Sequence, residues 1–124
     1  MGRSKRLLTG FALGLFAVAL AEPAAAAGPM ETARRIVTQG KPDENVQPCQ
    51  VCHGKNGRSS APNFPHLAGQ YRDYMIQALR AYREGERQDP IMSGQAKGLT
   101  AAEIQALAGY FASRTPVLAT LPLQ

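Results

Sequence analysis

The sequence predicts an all-α protein with long loops. In two segments, residues 69–85 and 101–113, apolar residues recur every three or four positions, which is the spacing of one face of an amphipathic helix. No segment alternates apolar and polar residues as a half-buried strand does. A chain of 124 residues allows one small domain, and its loops are too long to pack only on themselves. We therefore expect three to four short helices around a further apolar surface.

The first 27 residues are predicted to be a secretory signal peptide. Three basic residues lie within the first six positions, and residues 7–21 form an uncharged apolar run. Small residues then offer cleavage after Ala21 or within residues 24–27. The run is short for a membrane span, which needs about 20 residues. We expect a periplasmic protein with no stable membrane span after cleavage, and the alternative is an uncleaved anchor.

Export changes the charge of the protein. The full chain has 14 basic and 9 acidic residues and a net charge of +5. Cleavage after residue 27 removes three basic residues and one acidic residue, which leaves a charge of +3. Trp is absent and aromatic residues make up 6% of the chain, so no platform for stacking bases is visible. We therefore expect no nucleic-acid binding.

Both cysteines of the chain lie in one segment, Cys49-Gln50-Val51-Cys52-His53. The pattern C-x-x-C-H is the attachment site of a c-type haem. One helical turn brings both sulfurs to the same edge of the porphyrin, where each can form a thioether with a vinyl group. The adjacent imidazole can then reach the iron. A flat apolar haem would also supply the surface that the loops need.

Two neighbouring thiols have other uses in an exported protein. A simple disulfide is possible in an oxidising compartment, but it does not explain the adjacent histidine. A thioredoxin-like redox pair needs a preceding strand, which the sequence lacks. A structural zinc site needs four ligands, and outside the C-x-x-C-H segment only His66 offers a nitrogen. Haem attachment accounts for the most features.

A short helix is predicted over residues 31–39, ahead of the cysteines. Its acidic first residue suits the positive end of the helix dipole. Its apolar residues share one face: Ala33, Ile36 and Val37. Gly40 is typical of the residue that follows a helix, and the polar loop 41–48 leads to the motif.

Two longer helices are predicted after the motif. The helix over 69–85 has an apolar face formed by Tyr71, Tyr74, Met75, Ala78, Leu79 and Tyr82. We expect at least two of these tyrosines in the core; donation to a haem carboxylate is the alternative. The helix over 101–113 begins with a capping box, in which Thr100 is the N-cap and Glu103 bonds back to it. The stretch 86–98 lacks periodicity and is expected to be irregular.

The iron of such a haem needs a second axial ligand or an open face. A methionine opposite the histidine raises the reduction potential and suits electron transfer. Met1 belongs to the signal, Met30 to the lead-in segment and Met75 to the apolar helix face. Met92, in the irregular stretch, is therefore the preferred candidate. His66 is a weaker one, which we expect to lie at the surface or close to the site without binding the iron.

The iron-binding histidine also needs an acceptor for its Nδ1–H, so that Nε2 points at the metal. The carbonyl of Pro65, in the Gly-, Ser- and Pro-rich loop 55–65, could accept this proton. The apolar residues of that loop are expected to cover an apolar surface: Pro62, Phe64 and Pro65. A basic collar at the exposed haem edge, or simply a solvated surface, is expected of Lys55, Arg58 and Lys97.

The pattern over residues 48–111 resembles the small bacterial class I c-type cytochromes, monohaem and periplasmic, and is similar to the modules of the dihaem periplasmic cytochromes c. The matching residues are CQVCHG at 49–54, FPHLAGQ at 64–70 before Tyr74, GER at 85–87, Met92 with Ala96, Leu99, Ile104, and AGYF at 108–111. The resemblance implies a cytochrome c fold around one covalent haem c. It also implies the following site: thioethers at Cys49 and Cys52, iron ligands His53 and Met92, and the Pro65 carbonyl oriented toward His53.

The resemblance implies a periplasmic one-electron carrier that is not itself an enzyme and has no catalytic residues. Its partners would be a donor dehydrogenase or bc-type complex and an acceptor oxidase or reductase, met by a monomer in transient complexes. One alternative is a haem c subunit of a periplasmic oxidoreductase complex. A less favoured one is a gas-binding or peroxidase-like haem protein. The cytochrome domain would span residues 28–114, and 115–124 would form an irregular tail.

Overall fold

The computed structural model describes residue 1 and residues 27–117. This part contains five α-helices, at least one more than the three to four expected, in the order α1 (Pro29–Gln39), α2 (Cys49–His53), α3 (Arg72–Glu84), α4 (Met92–Lys97) and α5 (Ala101–Ala112). Short 3₁₀ turns occupy Pro42–Glu44 and Lys55–Gly57, and Lys41 and Val46 form an isolated antiparallel bridge. Residues 27–117 contain no β-strand, and no described helix is both long and apolar enough to span a membrane.

The expected signal peptide and the last residues of the tail lie outside the described residues, apart from residues 1 and 27 and residues 115–117. The division of the chain into signal, domain and tail therefore stays a prediction.

The core of the domain lies between the first and last helices. Ile36 and Val37 of α1 are almost fully buried, as are Ile104 and Leu107 of α5, and these helices pack against each other. Helix α3 packs against both α4 and α5. Burying each aliphatic side chain contributes about 1.5–3 kcal/mol, so this contact holds the ends of the domain together.

The predicted capping box of α5 is present. The Thr100 hydroxyl accepts from the Glu103 N–H at 3.2 Å, and a Glu103 carboxylate oxygen accepts from the Thr100 N–H at 2.8 Å. Two of the otherwise unpaired N–H groups at the helix start are thereby satisfied. The helix ends at Ala112, one residue before the predicted end.

A set of polar contacts ties the loop before α2 to the segment that contains α4. Lys41 Nζ donates to the Gly98 carbonyl at 2.7 Å and forms an ion pair with Glu103 at 2.9 Å. The Gln47 N–H donates to Gln95 Oε1 at 2.7 Å. These contacts place the start of α2 beside α4, although the two helices are far apart in the sequence.

The prediction of an irregular stretch over 86–98 is wrong, because α4 lies within it and Met92 is its first residue. The start of the helix is held by Asp89, whose Oδ1 accepts from the N–H groups of Ile91 and Met92 at 2.9 and 2.8 Å. Six residues that include Gly94 are too few for helical periodicity to be visible in the sequence.

The tyrosines of the predicted 69–85 helix are not in the core. Tyr71 precedes the helix, which begins at Arg72, and is 82% exposed. Tyr74 is 47% exposed and Tyr82 is half-buried. The expectation that at least two tyrosines are in the core is wrong, because the side of α3 that carries Tyr74 and Tyr82 borders a cavity. Ile76, outside the predicted face, is 8% exposed, on a helix that α4 and α5 both contact.

Candidate haem-binding site

A cavity of about 480 Å³ lies between α2, α3, α4 and the loop that follows α2. Helix α2 contributes Cys49, Cys52 and His53 to its wall, and α4 contributes Met92. The predicted apolar face of α3 lines one side with Tyr74, Met75, Ala78, Leu79 and Tyr82. Phe64 and Pro65 of the loop 55–65 line another part, as expected, together with Leu67 after it. Pro62, the third residue expected to cover this surface, is exposed and does not line the cavity.

The residues on either side of the short helix α2 determine where it begins and ends. Pro48 precedes it, and Gly54 follows it with φ +76°, a value that L side chains rarely adopt. A Cβ at Gly54 would also collide with the carbonyl oxygen of Arg58. The chain therefore makes a single turn, in which residues three apart share one side. Cys49 and Cys52 both reach the cavity wall, and no disulfide joins them.

The Cys49 thiol lies in an apolar environment and packs against the hydrophobic core. Its burial raises the pKa to about 11; its backbone hydrogen bond opposes this shift, and the neighbouring Cys52 adds to it. The thiol is therefore neutral at physiological pH. Such a site suits a sulfur that becomes a neutral thioether.

His53 is 7% exposed, and its ring is held from one side. Nδ1 lies 2.9 Å from the carbonyl oxygen of Pro65. Because a carbonyl can only accept, Nδ1 is the protonated nitrogen, which leaves the Nε2 lone pair of the neutral ring available to a metal. The Phe64 ring packs edge-on against the imidazole with a centroid separation of 6.1 Å.

Of the possible second axial ligands, Met92 and Met75 both reach the cavity. Met75 is 6% exposed and belongs to the core cluster, as its position on the apolar face predicted. Met92 is half-buried at the first turn of α4 and packs against the core from outside. His66 lines the cavity but is exposed. Met92 therefore differs from Met75 in not being part of the core.

The basic residues at this cavity differ from those expected. Lys55, Arg58 and Lys97 are exposed, and none of them lines the cavity. Arg58 instead donates to the Thr115 carbonyl at 3.1 Å. The wall includes Arg87, to which sequence reasoning gave no role. The sequence feature that could have pointed to Arg87 was its place in the GER segment at 85–87, which matches the family pattern. The position of that segment in the sequence does not show that the Arg87 side chain lies in the cavity wall.

The residues of this cavity fit a haem c. Two thiols share one side of a helical turn, an imidazole presents a free Nε2, and a thioether lies in the same wall. The rest of the wall is largely apolar and suits a flat porphyrin. The zinc alternative has no support, because no three His, Cys, Asp or Glu residues of the described chain are grouped to hold a metal ion.

Comparison with known proteins agrees with this chemistry. The family model described as cytochrome c matches residues 44–115. Cytochrome c-552 of Acidithiobacillus ferridurans is 38% identical over 80 residues, 64% of this chain and 34% of that protein. Cytochrome c-554(548) of Halomonas halodenitrificans is 33% identical over 75 residues, 58% of this chain and 90% of that protein. A protein of Thiomonas intermedia named thiosulfate dehydrogenase electron acceptor is 41% identical over 69 residues, 55% of this chain and 32% of that one.

The chain thus spans about a third of the length of two of these relatives and nearly all of the other. Among solved structures, cytochrome c4 of Acidithiobacillus ferrooxidans is 35% identical with a TM-score of 0.65, over 68% of this chain and 49% of that one. Cytochrome c4 of Pseudomonas stutzeri is 30% identical with a TM-score of 0.65, over 70% of this chain and 48% of that one.

These matches confirm the predicted all-α cytochrome c fold and covalent haem c as the cofactor, with the segment Cys49–His53 as its binding region. The chain belongs to the cytochrome c family.

Proposed function

We propose that this protein is a periplasmic one-electron carrier with one haem c attached through Cys49 and Cys52, and with His53 and Met92 as the iron ligands. The observation that carries the proposal is that all four side chains line one cavity, although they come from two separate helices. When bound, the haem supplies an iron that alternates between the ferric and ferrous states.

In this proposal the Pro65 carbonyl holds the proton of His53 on Nδ1, at a distance of 2.9 Å. A hydrogen bond of this kind sets the tautomer and the orientation of an imidazole ligand and increases its basicity. Phe64 packs against the same ring and limits its rotation. The histidine therefore needs little rearrangement when the charge of the metal changes.

Met92 would bind the iron as the second ligand. Its backbone is held by Asp89, and its position at the start of α4 lets the flexible side chain extend into the cavity. A thioether is a weaker donor than an imidazole and favours the reduced metal. If His53 and Met92 both bind the iron, no position on the metal is left for a substrate, and the largely apolar wall would limit the access of water.

The first test concerns the cofactor. We expect the mass of the purified protein to exceed that of the polypeptide by one haem, and its pyridine haemochrome spectrum to be that of haem with both vinyl groups saturated. A polypeptide mass without haem, from cells that mature other c-type cytochromes, would reject the proposal.

The second test concerns the methionine ligand. The ferric protein should show the weak far-red charge-transfer band of methionine sulfur bound to iron. Met92→Ala should abolish the band and lower the potential, whereas Met75→Leu, a change of similar volume at the other methionine of the cavity, should keep it. A band that survives in Met92→Ala but not in Met75→Leu would assign the ligand to Met75.

A second candidate function is that of a haem c subunit of an oxidoreductase complex. It is favoured by two relatives named thiosulfate dehydrogenase electron acceptor, from Thiomonas intermedia and Stutzerimonas stutzeri, at 41% and 38% identity. The structure of a thiosulfate dehydrogenase from Marichromatium purpuratum is also similar, at 30% identity and a TM-score of 0.65, over 71% of this chain and 19% of that one. Co-purification at a fixed stoichiometry would favour a subunit, and recovery of the protein alone would favour a free carrier. A donor dehydrogenase or bc-type complex and an acceptor oxidase or reductase stay the proposed partners.

The periplasmic location rests on the N-terminal sequence. We propose that residues 1–27 are removed on export, with cleavage after Ala21 or within residues 24–27. The intact mass of the protein from a periplasmic extract identifies the cleaved bond. Recovery of the full-length chain in the membrane fraction would instead indicate an uncleaved anchor.

A further inference from the structure

Among the described Lys and Arg side chains, Arg87 is the one that lines the cavity. The cavity wall is otherwise largely apolar. The acidic residue in the cavity wall is Asp89, whose carboxylate already accepts hydrogen bonds from the N–H groups of Ile91 and Met92. The guanidinium thus adds a positive charge to a cavity whose acidic group is engaged at the start of α4.

The guanidinium of Arg87 is held in place by two tyrosines. Its carbon lies 4.7 Å from the centre of the Tyr82 ring, within the range of a cation–π contact. Its NH1 group donates to the Tyr74 hydroxyl at 3.4 Å. The Arg87 backbone N–H is also bonded, to the Ala81 carbonyl at 3.0 Å. Because Tyr74 and Tyr82 line the same cavity, these contacts orient the guanidinium along its wall.

This arrangement leaves hydrogen-bond donors unused. A guanidinium has five N–H groups, and one of them reaches Tyr74. Because the Tyr74 hydroxyl accepts from Arg87, its own O–H can be donated to another group. A cation and a hydroxyl side by side present the donors that bind a carboxylate, and charge-assisted bonds of this kind are the stronger ones.

We infer that Arg87 and Tyr74 bind a carboxylate of the haem, one of its two propionates, at the exposed side of the cavity. The inference rests on the proposed function, because it requires haem in this cavity. Arg87 acts as a positioning residue: it fixes the cofactor edge and neutralises a negative charge that would otherwise disfavour the reduced iron. Arginine suits this role better than lysine, because its planar fork can bind both carboxylate oxygens.

The test uses haem-loaded protein and three variants: Arg87→Gln, Tyr74→Phe and the control Arg80→Gln. Arg80 is exposed on α3 and does not line this cavity, so its variant makes the same change of charge elsewhere. The measurements are the ferrous-to-ferric ratio at a fixed ambient potential, pH and low ionic strength, and the propionate-bending band of the resonance Raman spectrum. Thermal unfolding checks that each variant is folded.

We expect Arg87→Gln to lower the ferrous-to-ferric ratio by about 1.5- to fivefold, the range set by the strength of exposed ion pairs. The Raman band should shift as well. Tyr74→Phe should shift the band with a smaller change in the ratio, since it removes no charge. Arg80→Gln should change neither.

An unshifted band in Arg87→Gln overturns the inference even if the ratio falls, since Arg87 would then act only as a nearby charge. Equal effects of Arg87→Gln and Arg80→Gln overturn it too. These outcomes leave the proposed function intact, whereas a chain without covalent haem overturns both.

Discussion

Asp89 Oδ1 accepts a hydrogen bond from the backbone N–H of Met92 at 2.8 Å, and the same oxygen accepts from Ile91 at 2.9 Å. An acidic side chain thus fixes the backbone of the residue that we assign as the second iron ligand. The two backbone bonds, that to Met92 first and that to Ile91 second, lower the pKa of Asp89, and the charge of Arg87 adds to the shift.

The first prediction concerns how far the pH can fall before the proposed bond between Met92 and the iron is lost. Because the pKa of Asp89 is lower in the folded protein, its stabilising effect is complete above the ordinary aspartate pKa of about 3.9 and is lost as the pH falls through the lower folded value. Asp89→Ala should therefore lose the far-red methionine–iron band at a higher pH than the wild type, in an absorbance titration of the ferric protein. Asp89→Asn keeps the acceptor and should behave more like the wild type at neutral pH.

The matched control for this titration is Asp43→Ala, an exposed acid for which no hydrogen bond is found in the described chain. If Asp43→Ala moves the acid transition as far as Asp89→Ala does, general charge loss and not the contact at α4 explains the effect.

The second prediction concerns the ion pair of Lys41 and Glu103, at 2.9 Å and with side chains 19% and 13% exposed. Burial of Glu103 by itself raises its pKa, but the hydrogen bond from the Thr100 N–H and the contact with Lys41 outweigh this and lower it. Lys41→Met should reduce the free energy of unfolding by about 1–3 kcal/mol, since a partly buried carboxylate and the Gly98 carbonyl lose a charged donor. Urea unfolding of the haem-loaded protein measures this.

The difference should shrink below the ordinary glutamate pKa of about 4.3, where Glu103 loses its charge as the pH falls through the lowered folded value. Glu31 and Arg34 form the exposed comparison pair, at 2.7 Å with side chains 53% and 64% exposed. Arg34→Met should cost less than about 1 kcal/mol. Equal losses in Lys41→Met and Arg34→Met would show that burial does not strengthen the inner pair.

The third prediction concerns Gln95, whose Oε1 accepts from the Gln47 N–H at 2.7 Å and whose amide donates to the Asn45 carbonyl at 3.5 Å. Gln95→Ala should cost about 0.5–1.5 kcal/mol, because a bond between α4 and the loop before α2 is lost. On heating, the methionine–iron band should disappear at a lower temperature than in the wild type. The exposed Gln77 supplies the control, and an equal shift in Gln77→Ala would count against a link between the two segments that carry the proposed iron ligands.

The fourth prediction concerns glycines. Gly54→Ala places a Cβ against the Arg58 carbonyl at a backbone angle of φ +76°, so we expect a loss of at least about 1 kcal/mol and a lower yield of haem-loaded protein. Gly94→Ala is the counterpart: it lies within α4 with no atom close to the added methyl group, and should be neutral or stabilising by up to about 1 kcal/mol. The yield is read from haem absorbance per polypeptide. A destabilised Gly94→Ala would mean that α4 needs the freedom of glycine.

The local parts of the site could be predicted from the sequence. The Cys49–His53 turn is defined by residue types at adjacent positions, and the capping box of α5 by two residues three apart. Such signals depend only on helical geometry, so they are readable without the fold. The apolar face of α3 that contains Met75, Ala78 and Leu79 could also be predicted, because its residues recur with the period of a helix.

The sequence by itself determined that the chain is helical and that it carries two thiols and an imidazole in haem-attachment spacing. It also made Met92 the preferred candidate for the second iron ligand. Only the tertiary structure decided that Met92 begins a helix, that Tyr74 and Tyr82 border a cavity, and that Arg87 reaches the same wall. The reason is physical: a helical period shows which residues share a face, but what that face meets depends on contacts between distant segments, such as those of Lys41 with Glu103 and of Gln47 with Gln95.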